Sequence, residues 1–410
     1  MKVAVIGAGA SGLMAAYAAS LNGNDVTVFE KNEKCGKKIY ITGKGRCNLT
    51  NAVSPQEFLQ SVVNNSKFLS SAIYSFSPEN LMNLLESNGL KLKVERGNRV
   101  FPLSDKASDV TKCLENLCKN SGVKFNFNAN VSKIEILNST VSDIIVNNRA
   151  ILFDKVIVCT GGVSYPLTGS TGDGYNFARQ CGHDIIELRP ALCGLNLKGD
   201  YYSAMQGLAL KNVGLSVFYN EKLIQSMFGE ILFTHFGVSG PLILSVSSFI
   251  NRLDLKKVRL TLDLKPALTY EQLDDRILRD FASSPNKSIG AVLKGLLPSS
   301  IIVEVLKRSL VDSDKKVNSV SKRERAALLT TIKKFDMLIL SLRSFDEAIV
   351  TSGGVDVRYI NPKTMESKKV SGLYFCGEVL DVDALTGGFN LQIAFSTGYA
   401  AGNSIKGEDL

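Results

Sequence analysis

The chain has 410 residues, 45% of them apolar, enough to bury the cores of two or three domains. It contains no apolar run approaching the ~18 residues of a membrane helix, and its two histidines, His183 and His235, exclude a His-rich metal site. The formal charge is +9, and 22 Lys and Arg against 14 Asp and Glu between Ala191 and Phe345 put +8 of it in the middle of the chain.

Such a concentration of charge fits either a solvated Lys-rich surface or a polyanionic partner, most simply a nucleic acid. Eight scattered cysteines show neither C-x-x-C nor paired zinc spacing and read as buried thiols, with no metal site expected. The start carries no basic segment leading into an apolar stretch and a cleavage site, so no signal peptide and a cytoplasmic location are expected.

In chain order, KVAVIG (2–7) is a β-branched strand running into glycines. An Ala-rich helix follows from Gly12 to about Asn22, and DVTVFE (25–30) is the next strand, completing a β-α-β unit. A polar loop covers 31–51, and two amphipathic helices are expected over 55–90. A helix at about 107–120 leads to a strand pair, 123–137 and 141–154, and then to the buried strand DKVIVCTGG (154–162). After Pro190 alternating runs such as LSVFYN and VRLTLDL predict a small antiparallel β domain. Residues 270–345 read as helices with charged faces. From about Asp346 glycines and β runs return, ending in a helix at 390–404. The expected fold is α/β: a Rossmann-like domain of residues 1–190 and 346–410, interrupted by an insert of residues 191–345, β-rich over 191–268 and helical over 269–345.

Gly7-Ala8-Gly9-Ala10-Ser11-Gly12 follows the first strand and opens the first helix. Gly7 allows the tight turn, Gly9 admits a pyrophosphate to the backbone, and Gly12 permits close helix–strand packing, with phosphates on the helix N-terminus. Glu30 closes the second strand, where a carboxylate binds ribose hydroxyls, and Lys31 follows it. FAD and NAD share this unit, and later segments favour FAD. Thr160-Gly161-Gly162 ends a strand. Gly377-Glu378 ends another, with Asp381 just beyond, and Gly388, Asn390 and Leu391 open the last helix, whose positive end suits a reduced flavin. In the loop GKKIYITGKGRCNLTN (36–51), Lys38 and Arg46 are candidates to neutralise the pyrophosphate. Thr42, Gly43, Gly45 and Asn48 suit close passage by the flavin. Cys47 is either a proton donor at the flavin face or a packed thiol. His235, in FTHFGVSGP (233–241), is a general acid/base candidate, and Tyr165 is a further residue to weigh. His183 reads as structural.

Taken together, VAVIGAGASGLMAA, GKKIYITGKGRCNLTN, GNRVFPLSDKASDV, TGGVSYPLTGSTGDGY, LFTHFGVSGP and the block from TSGGVDV to AFSTG resemble the HI0933-like flavoprotein family. That family includes a 23S ribosomal RNA dihydrouridine synthase, a bile-acid reductase and an aminoacetone oxidase. The resemblance implies FAD, a glutathione-reductase-like fold, an inserted domain over the active site, and a backbone contact from Val131 to adenine. It leaves the substrate open. Uridine in 23S ribosomal RNA, bound through the basic insert, leads as acceptor. A 3-oxo steroid or bile-acid acceptor and a small amine are the alternatives, and a non-catalytic flavin-binding protein is the reading from another class. No second G-x-G-x-x-G follows a strand, so NAD(P)H is expected as a transient donor without a domain of its own.

Overall fold

The computed structural model describes residues 1–407, in two compact units: Met1–Ala191 with the chain from Ser344 on, and Leu192–Arg343. The first unit is built on a five-stranded parallel sheet in the order Leu373–Phe375, Lys155–Val158, Lys2–Ile6, Asp25–Glu30, Lys124–Phe127. Its central strands are continuous apolar runs because the layers on both faces bury them, as a parallel sheet requires.

Helix Ala10–Leu21 connects the first two strands, and the last helix, Phe389–Ser404, packs along it. Small residues allow the contact. A Cβ at Gly398 would stand 2.3 Å from the Ser11 carbonyl oxygen, and one at Gly402 would stand 2.2 Å from that of Ala15. Segments nearly 400 residues apart in sequence therefore pack directly against each other.

Three details depart from the sequence reading. Asparagines in the left-handed region cut the expected strand pair: Asn128 (φ 52°) separates Lys124–Phe127 from Val131–Leu137, and Asn147 and Asn148 separate Thr140–Val146 from Arg149–Leu152. The last three of these form an antiparallel sheet of their own. Residues 55–90 hold three helices, Pro55–Gln60, Ser66–Ser75 and Pro78–Ser87. Capping boxes at Ser54 and Ser77, each followed by proline, start the first and third. The polar loop 31–51 contains a short helix, Lys37–Ile41, and a 3₁₀ turn, Thr42–Gly45.

The second unit is a closed six-stranded antiparallel barrel in the order Leu195–Leu197, Gly237–Ser239, Lys222–Thr234, Ala209–Tyr219, Val258–Asp263, Phe335–Leu342. Helices Tyr270–Ala282, Ser299–Arg308 and Lys322–Lys333 share its core, with Ile277, Val305 and Leu328 packed in one cluster with Leu215, Leu260 and Met337. Closure leaves the barrel without a free edge. The expectation of a helical second half fails at Phe335–Leu342, which returns to close the barrel. Its inward Phe335, Met337 and Ile339 alternate with outward Leu338 and Leu340, so the sequence shows an apolar run rather than a two-residue period. Conversely Pro241–Ile250, within the β-rich half, is helical. It is buried on most sides and lacks a polar stripe. Among the described residues no helix is long and apolar enough to cross a membrane.

Candidate functional site

Ligands of open α/β sheets bind at the carboxyl ends of the parallel strands, and there this chain gathers its glycines. Gly7 follows Ile6 at φ 102°, with its N–H bonded to the Phe29 carbonyl at 2.8 Å, a turn that only glycine makes without strain. At Gly12 a Cβ would stand 1.8 Å from the Gly7 carbonyl oxygen, so glycine is needed for packing. Gly9 differs from both. Its φ of −84° suits any residue, and nothing lies within 4 Å of where its Cβ would be. The fold itself does not require glycine at this position, and the open space there fits a phosphate approaching the backbone.

Helix Ala10–Leu21 starts at Gly9 with no side-chain cap and no acid in its first turn. The last helix starts the same way at Gly388, φ 97°. Both N-termini therefore keep N–H groups and a positive end for an anion. Ser11 meets Gly377, where a Cβ would stand 2.7 Å from its Oγ. Among the described residues, Thr160 Oγ1 and Asn48 Oδ1 are buried polar atoms with no hydrogen-bond partner, as expected of groups awaiting a ligand.

Glu30 is buried at the end of its strand. Its Oε2 accepts the Ala8 N–H at 2.8 Å and its Oε1 accepts Asn32 N–H at 2.8 Å, which locks the carboxylate beside the glycine turn with lone pairs to spare for ribose hydroxyls. The Glu30 carbonyl accepts the Ala129 N–H at 3.0 Å, bringing Val131 alongside. Val131 lines an open cleft of about 460 Å³ with Asn130, Ser132, Asp173, Asn176 and Arg179. Lys31 reaches Asp173 at 2.7 Å and also donates to Thr171.

The remaining expected residues divide. Lys38 Nζ donates to Ser164 Oγ at 2.6 Å and to Glu378 Oε2 at 2.7 Å. Asp381 accepts from Asn65 at 3.0 Å, Asn390 clasps the Ala384 backbone through both amide atoms at 2.9 and 2.8 Å, and Leu391 packs on the core. Thr42 Oγ1 donates to the Ile39 carbonyl at 2.7 Å, and Gly43 and Gly45 take left-handed angles in the same turn. Arg46 has other partners than a phosphate. Its guanidinium bonds Glu95 and, at 2.7 Å, Asp105, and lies 4.2 Å from the Phe101 ring centroid, so it anchors the loop to the strands below it. Cys47 is 0% exposed, and burial pushes its thiol up to about 12 against a weaker opposing bond to Thr42. Of its two readings, the packed thiol is the one this placement favours. Ser164 and Thr351, both buried, join the network around Glu378 and were not singled out in the sequence. Ser164 stands as a polar residue between Val163 and Tyr165, but Thr351 in AIVTSGGV carries no signal of its own.

In the barrel unit His235 is exposed on the turn between Lys222–Thr234 and Gly237–Ser239, edge-on to Phe236 at 5.1 Å. The Arg343 guanidinium lies 4.3 Å from the Phe236 ring centroid. His183 is buried against Phe375 with Nε2 2.8 Å from Ser367 Oγ. Burial first, then Lys369, lowers its pKa to about 4 despite Asp184 and Asp356, so the ring is neutral and structural.

A family model described as "HI0933-like protein Rossmann domain" matches residues 1–404. The chain is 31% identical to the ribosomal RNA dihydrouridine synthase of Haemophilus influenzae over 98% of both chains. It is 30% identical to the 3-dehydro-bile acid delta(4,6)-reductase of Clostridium scindens, again over 98% of both. Among solved structures, the 3-ketosteroid-delta4-(5alpha)-dehydrogenase of Rhodococcus jostii RHA1 superposes with a TM-score of 0.53 at 15% identity, covering 98% of this chain and 96% of that one. That likeness speaks for the fold. The chain belongs to the HI0933-like Rossmann-domain family and is an FAD-dependent oxidoreductase.

Proposed function

We propose that this protein reduces a carbon–carbon double bond conjugated to a carbonyl, and that the bond is C5=C6 of uridine in 23S ribosomal RNA. The observation that carries the substrate is charge: 22 Lys and Arg against 14 Asp and Glu fall within Leu192–Arg343. Many of that unit's acids are already matched, as in Arg325–Asp274, Lys315–Glu324 and Lys333–Asp263. Lys287, Lys316, Lys322 and Arg323 are exposed and carry no ion pair among the described residues, which leaves them for phosphates. Lys322 and Arg323 also occupy the first turn of a helix, where a cation is disfavoured by the helix dipole. The name of the Haemophilus relative agrees with this substrate.

FAD, when bound, supplies the hydride, with NADH or NADPH as the transient electron source. The chain's own residues hold and orient. The free N–H groups from Gly9 to Gly12 would receive the pyrophosphate, Glu30 the ribose, and the Val131 backbone and adjoining cleft the adenine. Thr160–Gly162, Gly377, Asp381 and the first turn from Gly388 to Leu391 border the rest, with Thr42, Gly43, Gly45 and Asn48 on the loop side. Reduction adds a hydride at uracil C6 and a proton at C5, and His235, the exposed candidate, is assigned the proton.

The Clostridium relative supports a second reading, a small 3-oxo-enoyl acceptor. Oxidation of NADH or NADPH by the FAD-loaded protein distinguishes the two. Ribosomal RNA lacking the modification should accelerate it, a 3-oxo-4-ene steroid should not, and the reverse result would transfer the assignment. In the same assay H235N should leave flavin reduction intact and slow acceptor reduction by about 10²–10⁴-fold.

A further inference from the structure

The sequence offers Lys38 as a counterion for pyrophosphate, but its bonds in the structure lead elsewhere. Lys38 Nζ, Ser164 Oγ and Glu378 form a closed triangle: Nζ donates to Oγ at 2.6 Å and to Oε2 at 2.7 Å, and Oγ donates to Oε1 at 2.8 Å. The Thr351 N–H donates to the same Oε1 at 2.8 Å. Thr351 Oγ1 in turn accepts the N–H groups of Val163 at 2.9 Å and Ser164 at 3.2 Å. Four segments distant in sequence meet there: helix Lys37–Ile41, the turn after Lys155–Val158, strand Val350–Val355, and the turn after Leu373–Phe375.

Glu378 follows Gly377, whose Cβ position lies against Ser11 in the first turn of the helix that opens on Gly9. A carboxylate therefore stands beside a site built for a cofactor carrying two phosphates, and Lys38 is the only cation bonded to it among the described residues. Both side chains are about one-fifth exposed, so solvent screens the pair only in part.

We propose that Lys38 is a positioning residue that acts on FAD through Glu378: it cancels and orients that carboxylate rather than meeting the pyrophosphate itself. The inference rests on FAD as the cofactor and is independent of the substrate. Without Lys38, an unmatched carboxylate faces an anionic ligand, and affinity falls because of what remains, not because a direct contact is lost.

That distinction sets the sign of a double-mutant cycle. FAD affinity is measured on apoprotein by quenching of flavin fluorescence for wild type, K38M, E378Q and K38M/E378Q, with no acceptor or NAD(P)H present. K38M should bind FAD about tenfold or more weakly, and adding E378Q should recover most of that loss. K38Q, which keeps a donor but no charge, should behave as K38M, whereas K38R should stay near wild type. Thermal melts of the apoproteins identify any variant that does not fold, and K38Q replaces K38M in the cycle if K38M fails. A double variant as weak as the single, or a K38M that binds FAD as wild type does, would overturn the proposal. Neither outcome bears on the RNA reading, which is scored on the acceptor.

Discussion

At Cys47 burial favours the packed thiol over the proton donor, the two roles that the sequence leaves open. A proton donor must reach its substrate, whereas this thiol lies in the core with its N–H bonded to the Thr42 carbonyl at 3.0 Å. Its pKa is raised by burial from 9.0 to about 12. A thiol raised in the fold favours the folded state fully below pH 9. That contribution is lost as pH rises from 9 towards 12, because the unfolded chain gains stability by ionising first. The urea midpoint should therefore fall between pH 8 and pH 10, and fall less steeply in C47A. Cys35 and Cys118, pushed to about 12 mainly by burial, share the trend, so the difference between wild type and C47A isolates Cys47. Rapid alkylation of native Cys47 at pH 7.5 would contradict this placement. Burial of this kind was not readable from the loop GKGRCNLTN, whose cations and glycines suggest exposure. Arg46 misleads for the same reason, since Glu95 and Asp105 lie about 50 and 60 residues away in sequence.

The glycine turn and the helix it opens behave as one element with two kinds of glycine. Gly12 serves the fold, since a methyl group there meets the Gly7 carbonyl, which is backbone and cannot yield. G12A should therefore destabilise the apoprotein severely, by about 3 kcal/mol or more, as overpacking against backbone does. Gly9 is the one we assign to the ligand, because the fold leaves open space at its Cβ position. Its angles accept alanine, so G9A should leave apoprotein stability unchanged or raised by about 0.4–1 kcal/mol while weakening FAD binding. Melting curves and flavin titrations of the two variants give opposite patterns if this division is right. A G9A that binds FAD normally would remove the pyrophosphate from the turn. The element was legible in sequence because its requirements are local: a β-branched run, three glycines at fixed spacing and an acid at the next strand end. The barrel was legible only in part. Strand Phe335–Leu342 closes it across more than 70 residues from its neighbour Val258–Asp263, and Leu338 and Leu340 on its outer side hide the alternation. The triangle of Lys38, Ser164 and Glu378 was half legible: two members stood out as charges near glycines, while their bond across 340 residues depends on the fold.

Over the whole molecule the two units divide the labour by composition. The Rossmann unit carries the glycine turns and the strand ends, and nearly balanced charge. The barrel-and-helix unit carries almost all of the excess positive charge and the exposed His235. A small-molecule acceptor would give the excess charge of this unit no role, whereas RNA would make affinity fall steeply with salt through counterion release. The most direct test is made on ribosomal RNA from cells lacking this gene, treated with the purified FAD-loaded protein and NADH or NADPH, then digested and examined by mass spectrometry. Dihydrouridine, absent from the deletion strain at one or more 23S positions, should reappear as a uridine heavier by two hydrogens. If the deletion strain retains its dihydrouridine in full and the protein adds none, the RNA assignment is wrong.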